Sequence, residues 1–143
     1  MVSRYNHVIL ISILILEVLL DCQSINVILK NNVLSRKKSF QGIYNLHEKI
    51  NGTSSWKSDF NAIWFISDDK YWAVGDLKNI GTKIRDISSS FDQNDKSPLD
   101  VENDQWYYFD EVWKKPGKSG DIIVECVNKK AATPRGKYNS KFY

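Results

Sequence analysis

Asn61-Ala62-Ile63-Trp64-Phe65-Ile66 and Tyr71-Trp72-Ala73-Val74-Gly75 are two runs of β-branched and aromatic residues separated by the polar tetrapeptide Ser67-Asp68-Asp69-Lys70. Residues of this type pack well on a pleated surface, and short polar loops join antiparallel neighbours. The stretch therefore predicts a β-hairpin with a loop of about four residues. The same texture extends in both directions. Upstream, Phe40, Gly42, Tyr44 and Leu46 occupy alternate positions, the period of a half-buried strand, and Asn51-Gly52 marks a tight turn because both residues tolerate positive φ. Downstream, Gly75-Asp76 and Ile80-Gly81-Thr82 read as backbone punctuation, a bulge or turn where a Cβ would clash. A further short run spans Ile84 to Ile87. Residues 88–104 are polar, acidic and interrupted by Pro98, which predicts a surface loop. Trp106-Tyr107-Tyr108-Phe109 resumes a strand, Pro116-Gly117 turns, and Ile122-Ile123-Val124-Glu125-Cys126-Val127 reads as a core strand that closes the sheet. No window carries a sustained, capped helical period. The expectation is an all-β fold, a single antiparallel sheet forming a small sandwich or partly open barrel.

The ends of the chain have other characters. Arg4 precedes an almost unbroken apolar run over residues 8–20, followed by polar Asp21. This is the pattern of a secretory signal peptide, and the run is shorter than the roughly 20 residues a membrane-spanning helix needs. Glu17 interrupts it, so an uncleaved anchor stands as the alternative. The division expected is a signal peptide over 1–24, a linker or N-terminal strand over 25–39, a β domain over 40–127 and a basic flexible tail over 128–143. Cleavage falls between Leu20 and Ile25. Removing such a signal leaves about 120 residues, one domain by length.

Only Cys22 and Cys126 occur. If Cys22 survives processing it can bridge to Cys126. If it is lost, Cys126 is an unpaired thiol in an oxidising compartment, and the core character of its strand favours a buried one. The net charge of +3 is too small to argue for nucleic acid. The charges are segregated, acidic over residues 92–111 and basic over 114–141, as expected of two solvated surfaces.

In their order along the chain, Gly42-Ile43-Tyr44, Asn51-Gly52, Trp56, Ala62-Ile63-Trp64-Phe65, Trp72-Ala73-Val74-Gly75-Asp76, Gly81-Thr82, Trp106-Tyr107-Tyr108, Trp113 and Ile123-Val124-Glu125-Cys126 resemble a small aromatic-rich extracellular β module. That module recurs in secreted and receptor-like animal proteins and has no settled activity. The resemblance covers residues 40–127 and implies a location and a fold, with no active site. It also implies a disulfide from a cysteine before the proline of the long loop to the final cysteine. Here that position is Ser97, so the implied partner of Cys126 is missing.

The residues offer little chemistry. His47 is the one histidine outside the signal segment, Gly-x-Ser-x-Gly is absent, and His47-Glu48 lacks the second histidine of a zinc site. Asp59, Asp76 and Asp110 lie near aromatics, but glycoside hydrolysis requires two carboxyls at a defined separation, which a sequence does not show. Asp92-Gln93-Asn94-Asp95 begins like an EF-hand loop and fails at Lys96, leaving a looser acidic site of Asp92, Asp95 and Asp100 as the remaining cation reading. No catalytic residue, cofactor or metal is expected. Trp56, Trp64, Trp72, Trp106 and Trp113, with Tyr44, Tyr71, Tyr107 and Tyr108, are more than a small core easily buries, and strand alternation sends neighbours such as Tyr71/Trp72 and Trp106/Tyr107 to opposite faces. The expectation is a secreted, non-catalytic module that binds a glycan or protein partner through exposed aromatics, with Trp56, Trp72, Asp76, Trp106 and Tyr108 as ligand-binding residues. The alternatives are a small carboxylate-dependent hydrolase and a membrane-tethered accessory domain. Asn51-Gly52-Thr53 is an N-glycosylation sequon in an exposed turn.

Overall fold

The computed structural model describes residues 22–94 and 97–127. Residues 1–21 of the segment expected as a signal peptide over 1–24, and residues 128–143, expected as a basic flexible tail, lie outside the described residues. Among the described residues nine strands form one antiparallel sheet: β1 (Ser24–Leu29), β2 (Gly42–Leu46), β3 (Trp56–Lys57), β4 (Asn61–Ile66), β5 (Tyr71–Asp76), β6 (Ile87–Ser89), β7 (Trp106–Asp110), β8 (Val112–Lys114) and β9 (Ile122–Cys126). One short helix, α1 (Asn31–Lys37), follows β1. The hairpin expected from the central stretch is β4–β5, paired from Ile66↔Tyr71 to Asn61↔Asp76 around the four-residue loop.

β1 to β8 run as a meander in sequence order, and β9 returns to pair with β1 at the other edge. This connectivity forces curvature. Eight strand spacings on a flat sheet would separate the edges by about 38 Å. The segment from the end of β8 to the start of β9 reaches at most about 28 Å even when fully extended. The sheet therefore curls into a partly open barrel, and α1 lies across the opening. There Arg36 Nε stands 3.6 Å and Lys114 Nζ 3.2 Å from Asp110 Oδ2, while Lys37 Nζ lies 3.0 Å from Asp86 Oδ1. Asp121, nearly buried between the elements, receives Asn31 Nδ2 at 2.8 Å and the Lys118 amide at 3.2 Å, so its carboxylate is not left unpaired.

The concave face holds the core. Ile25, Val27, Val33, Tyr44, Trp56, Ile63, Phe65, Trp72, Val74, Ile87, Trp106, Tyr108 and Ile122 form one cluster, with the Phe65 and Trp72 rings 5.0 Å apart. Burial raises the Tyr44 hydroxyl pKa well above the usual phenol range, opposed by its side-chain hydrogen bond with Asn61, and the hydroxyl donates to Phe40 O at 2.6 Å.

Of the two readings of residues 25–39, linker or N-terminal strand, the structure has the strand: Ile25, Val27 and Leu29 alternate inward along β1, which is paired on both sides. Residues 22–24, placed in the signal peptide by the sequence, are bonded into the sheet: Cys22 O accepts from Trp56 Nε1 at 2.7 Å, and Gln23 O accepts from the Leu46 amide at 2.8 Å. Cys126 is not an unpaired thiol. It bridges to Cys22 with the Cα atoms 5.9 Å apart, because Ile25↔Cys126 is the last rung of the β1–β9 ladder and brings the residue before β1 beside the end of β9. Finally, Ser88 and Ser89, assigned to a surface loop, are buried in β6 with their hydroxyls satisfied, Ser89 Oγ accepting the Trp72 amide at 2.8 Å.

Candidate functional site

Alternation sends Tyr71, Ala73, Ser88, Tyr107, Phe109 and Trp113 to the convex face while Trp72, Val74, Ile87, Trp106 and Tyr108 enter the core. The convex face has a covered half and an open half. Over β4 and β5, Leu77 and Ile80 of the β5–β6 connection cover Ala62, Trp64, Ile66, Tyr71 and Ala73, and Thr82 O accepts from Trp64 Nε1 at 2.9 Å. The returning chain crosses β5 at Gly75. A Cβ there would stand 3.2 Å from Arg85 Cα and 3.1 Å from the Trp64 ring, so only glycine allows the crossing without displacement. Gly75 is neither bulge nor turn, since it pairs with Ala62 in regular register within β5, and the close approach expected there comes from the returning chain.

The crossing delivers Arg85 to the boundary of the open half. Its guanidinium lies over the Tyr71 ring at 4.1 Å and over the Trp113 ring at 4.6 Å, joining residues of β5 and β8 across the two strands between them. Nε donates to Ser88 Oγ at 3.0 Å and Nη1 to Lys83 O at 2.9 Å. Phe91 packs on Tyr71 with centroids 5.2 Å apart, and its loop is pinned by the amides of Asp92 and Gln93 donating to Asp69 O and Lys70 O. Phe109 meets Trp113 edge-on at 5.3 Å. Together Arg85, Ser88, Ser90, Phe91, Tyr107 and Trp113 line a groove of about 310 Å³, open to solvent and largely apolar. Phe91 is 55% exposed, and Phe109 and Trp113 are each 39% exposed.

The electrostatics of the groove centre on one cation. Burial holds the Arg85 pKa below its ordinary value, opposed by Tyr71 and Asp69, and a guanidinium stays charged across the physiological range regardless. Burial also raises the Tyr71 phenol, opposed by Arg85 and Lys83. Lys83 is engaged with Asp68 at 3.2 Å. Among the described residues no carboxylate stands within ion-pair distance of Arg85.

Of the residues expected to contact a ligand, Trp56, Trp72, Trp106 and Tyr108 lie in the core, 0–6% exposed, and are corrected to packing residues. The alternation that separates Tyr71 from Trp72 and Trp106 from Tyr107 was legible, but which member faces inward depends on how the sheet curls. Asp76 ends β5 opposite Asn61 and does not line the groove. Tyr107 and Trp113 belonged to the aromatic set read from the sequence, whereas nothing local announced Arg85. Asp110 is paired with Lys114 and Arg36. Asn51 is exposed at the tip of a turn closed by the Ile50↔Thr53 bridge, with positive φ at both Asn51 and Gly52. Asp95 lies outside the described residues, and among those described no three potential ligands cluster as a metal site.

Fold and groove together define a disulfide-bonded half-barrel β domain carrying an aromatic-lined cleft with a cation in its wall. No protein-family model, no curated protein and no solved structure matches the chain.

Proposed function

We propose that this protein is a secreted, non-catalytic interaction domain that binds an extracellular glycan or protein partner through the convex-face groove of β5 to β8. The observation that carries the reading is Arg85 lying over both Tyr71 and Trp113 beside the exposed Phe91 and Phe109. Exposed aromatics cost solvation, and an aromatic surface arranged around a cation is what partner recognition uses. The disulfide supports an oxidising compartment. Among the described residues no helix is long and apolar enough to cross a membrane. The resemblance to extracellular β modules agrees with this placement, as does a sequon at an exposed turn.

Wild-type protein and Trp113→Ala, both secreted from a eukaryotic host, are to be compared on a printed array of neutral and acidic oligosaccharides and purified matrix proteins. Loss of wild-type signals in the variant at unchanged melting temperature supports the reading. Identical profiles, or turnover of an arrayed sugar, overturn it. The same preparation gives the mature N-terminus. A start at or before Cys22 with no free thiol fits a secreted, bridged domain.

A further inference from the structure

We infer that the groove takes a carboxylate-bearing saccharide, its ring lying on the aromatic wall and its carboxylate on Arg85. This rests on the reading of the groove as the binding site and adds the class of ligand.

The carboxylate follows from the donors of Arg85. A guanidinium carries five N–H groups. Ser88 Oγ and Lys83 O use two, which leaves three without a partner among the described residues. The side chain is partly desolvated and held in place by those two bonds and two rings. A fixed, partly dehydrated cation with spare donors in a fork geometry complements a planar two-oxygen anion, and the domain supplies none within ion-pair reach among the described residues. The other cation nearby, Lys83, is already committed to Asp68.

The saccharide follows from the floor. The groove lies on the face of the sheet, over β6, whose Ser88 pairs with Ala73 on one side and Tyr107 on the other. Main-chain donors and acceptors there are spent within the sheet. A peptide seated in the groove would find few partners for its own amides, which is unfavourable. A sugar ring can lay its C–H face on Trp113 or Tyr107 and keep its hydroxyls at the solvent-facing rim. Ser90 and Tyr107 line the groove, the Ser90 hydroxyl donating to Gln105 Oε1 at 2.6 Å and accepting from Gln93 Nε2 at 2.8 Å.

The test is tryptophan fluorescence titration of the intact secreted protein with hexasaccharides containing glucuronate, galacturonate or a terminal sialate. Each is paired with its carboxyl-reduced form, beside a glutamate-rich peptide. Expected is binding of at least one acidic saccharide about tenfold or more tighter than its reduced form, the size of a charge-assisted hydrogen-bonded contact. Arg85→Gln is expected to bring the acid down to the level of the reduced form. Raising salt on the wild type should weaken the acidic ligand alone, a readout independent of whether the variant folds. Equal affinity for both forms, abolished by Trp113→Ala, overturns the carboxylate and leaves the groove as the binding site. Tighter binding of the peptide overturns the saccharide. No binding of any probe, with array signals unaffected by Trp113→Ala, overturns both readings.

Discussion

Trp106 and Trp113 lie on neighbouring strands, β7 and β8, and meet opposite environments. Trp106 is 1% exposed on the concave face, packed in the core, whereas Trp113 is 39% exposed on the convex face beside Arg85. The difference extends along the strands. Inside, β5 to β7 contribute Trp72, Val74, Ile87, Trp106 and Tyr108, large residues that fill the curl. Outside, the same strands contribute Ala73, Ser88 and Tyr107, two small residues forming a floor between taller rings. Curvature concentrates large side chains on one face to hold the barrel, and a dip between rings on the other face is left free to serve a ligand.

The first way to break the contrast is to truncate the inner member. Trp106→Ala is expected to cost about 3–5 kcal/mol of unfolding free energy in a urea titration, the usual range for a buried tryptophan. A cost no larger than that of Trp113→Ala would show that the two faces are energetically alike. The second acts on the seam. Replacing both Cys22 and Cys126 with serine opens a loop spanning a sequence separation of 104 residues, and is expected to cost about 2–5 kcal/mol, chiefly through a less restricted unfolded chain. Because the bridge lies at the β1–β9 edge, the near-ultraviolet circular dichroism of the groove aromatics should persist in the folded variant. Its loss would mean that the two regions are coupled.

Gly75→Ala probes the passage between the faces. The added methyl meets backbone at Arg85, so a cost of about 1–3 kcal/mol is expected, together with a changed fluorescence spectrum as Arg85 shifts against Trp113. An unperturbed spectrum would show that the crossing does not position the groove. The smallest effect belongs to Asp110. The hydrogen bond from Lys114 holds its carboxyl below the usual range, with Arg36 and Lys37 adding to the shift. A depressed folded pKa gives stability that is complete above the unfolded value, about 3.9, and is lost as pH falls through the folded one. Melting temperatures of wild type and Asp110→Asn should therefore differ at neutral pH and converge in acid. A constant difference would show that the charge is not what matters.

Much of the sheet was legible. The β4–β5 hairpin, the β2 alternation around Tyr44, the turn at Asn51-Gly52 and the closing strand at Cys126 each carry their signal within a few residues, because side-chain period and turn chemistry are local properties. The segment over 25–39 was ambiguous, since six residues of strand followed by a short helix with no side-chain cap leave only weak local marks. Ser88-Ser89 was misread because polar composition conceals a strand whose hydroxyls are satisfied by its neighbours. The groove was half legible, in its aromatics and not in its cation.

The amino-acid sequence by itself determined that this chain forms an antiparallel, aromatic-rich β domain, where most of its strands lie and which neighbouring aromatics must face apart. Only the tertiary structure decided which face became core, that Cys22 meets Cys126, and that Arg85 reaches both Tyr71 and Trp113. The reason is that alternation fixes the relative facing of residues along one strand. The direction in which the sheet curls, the register across strands distant in sequence and the passage of the chain over Gly75 are set by contacts no local window contains.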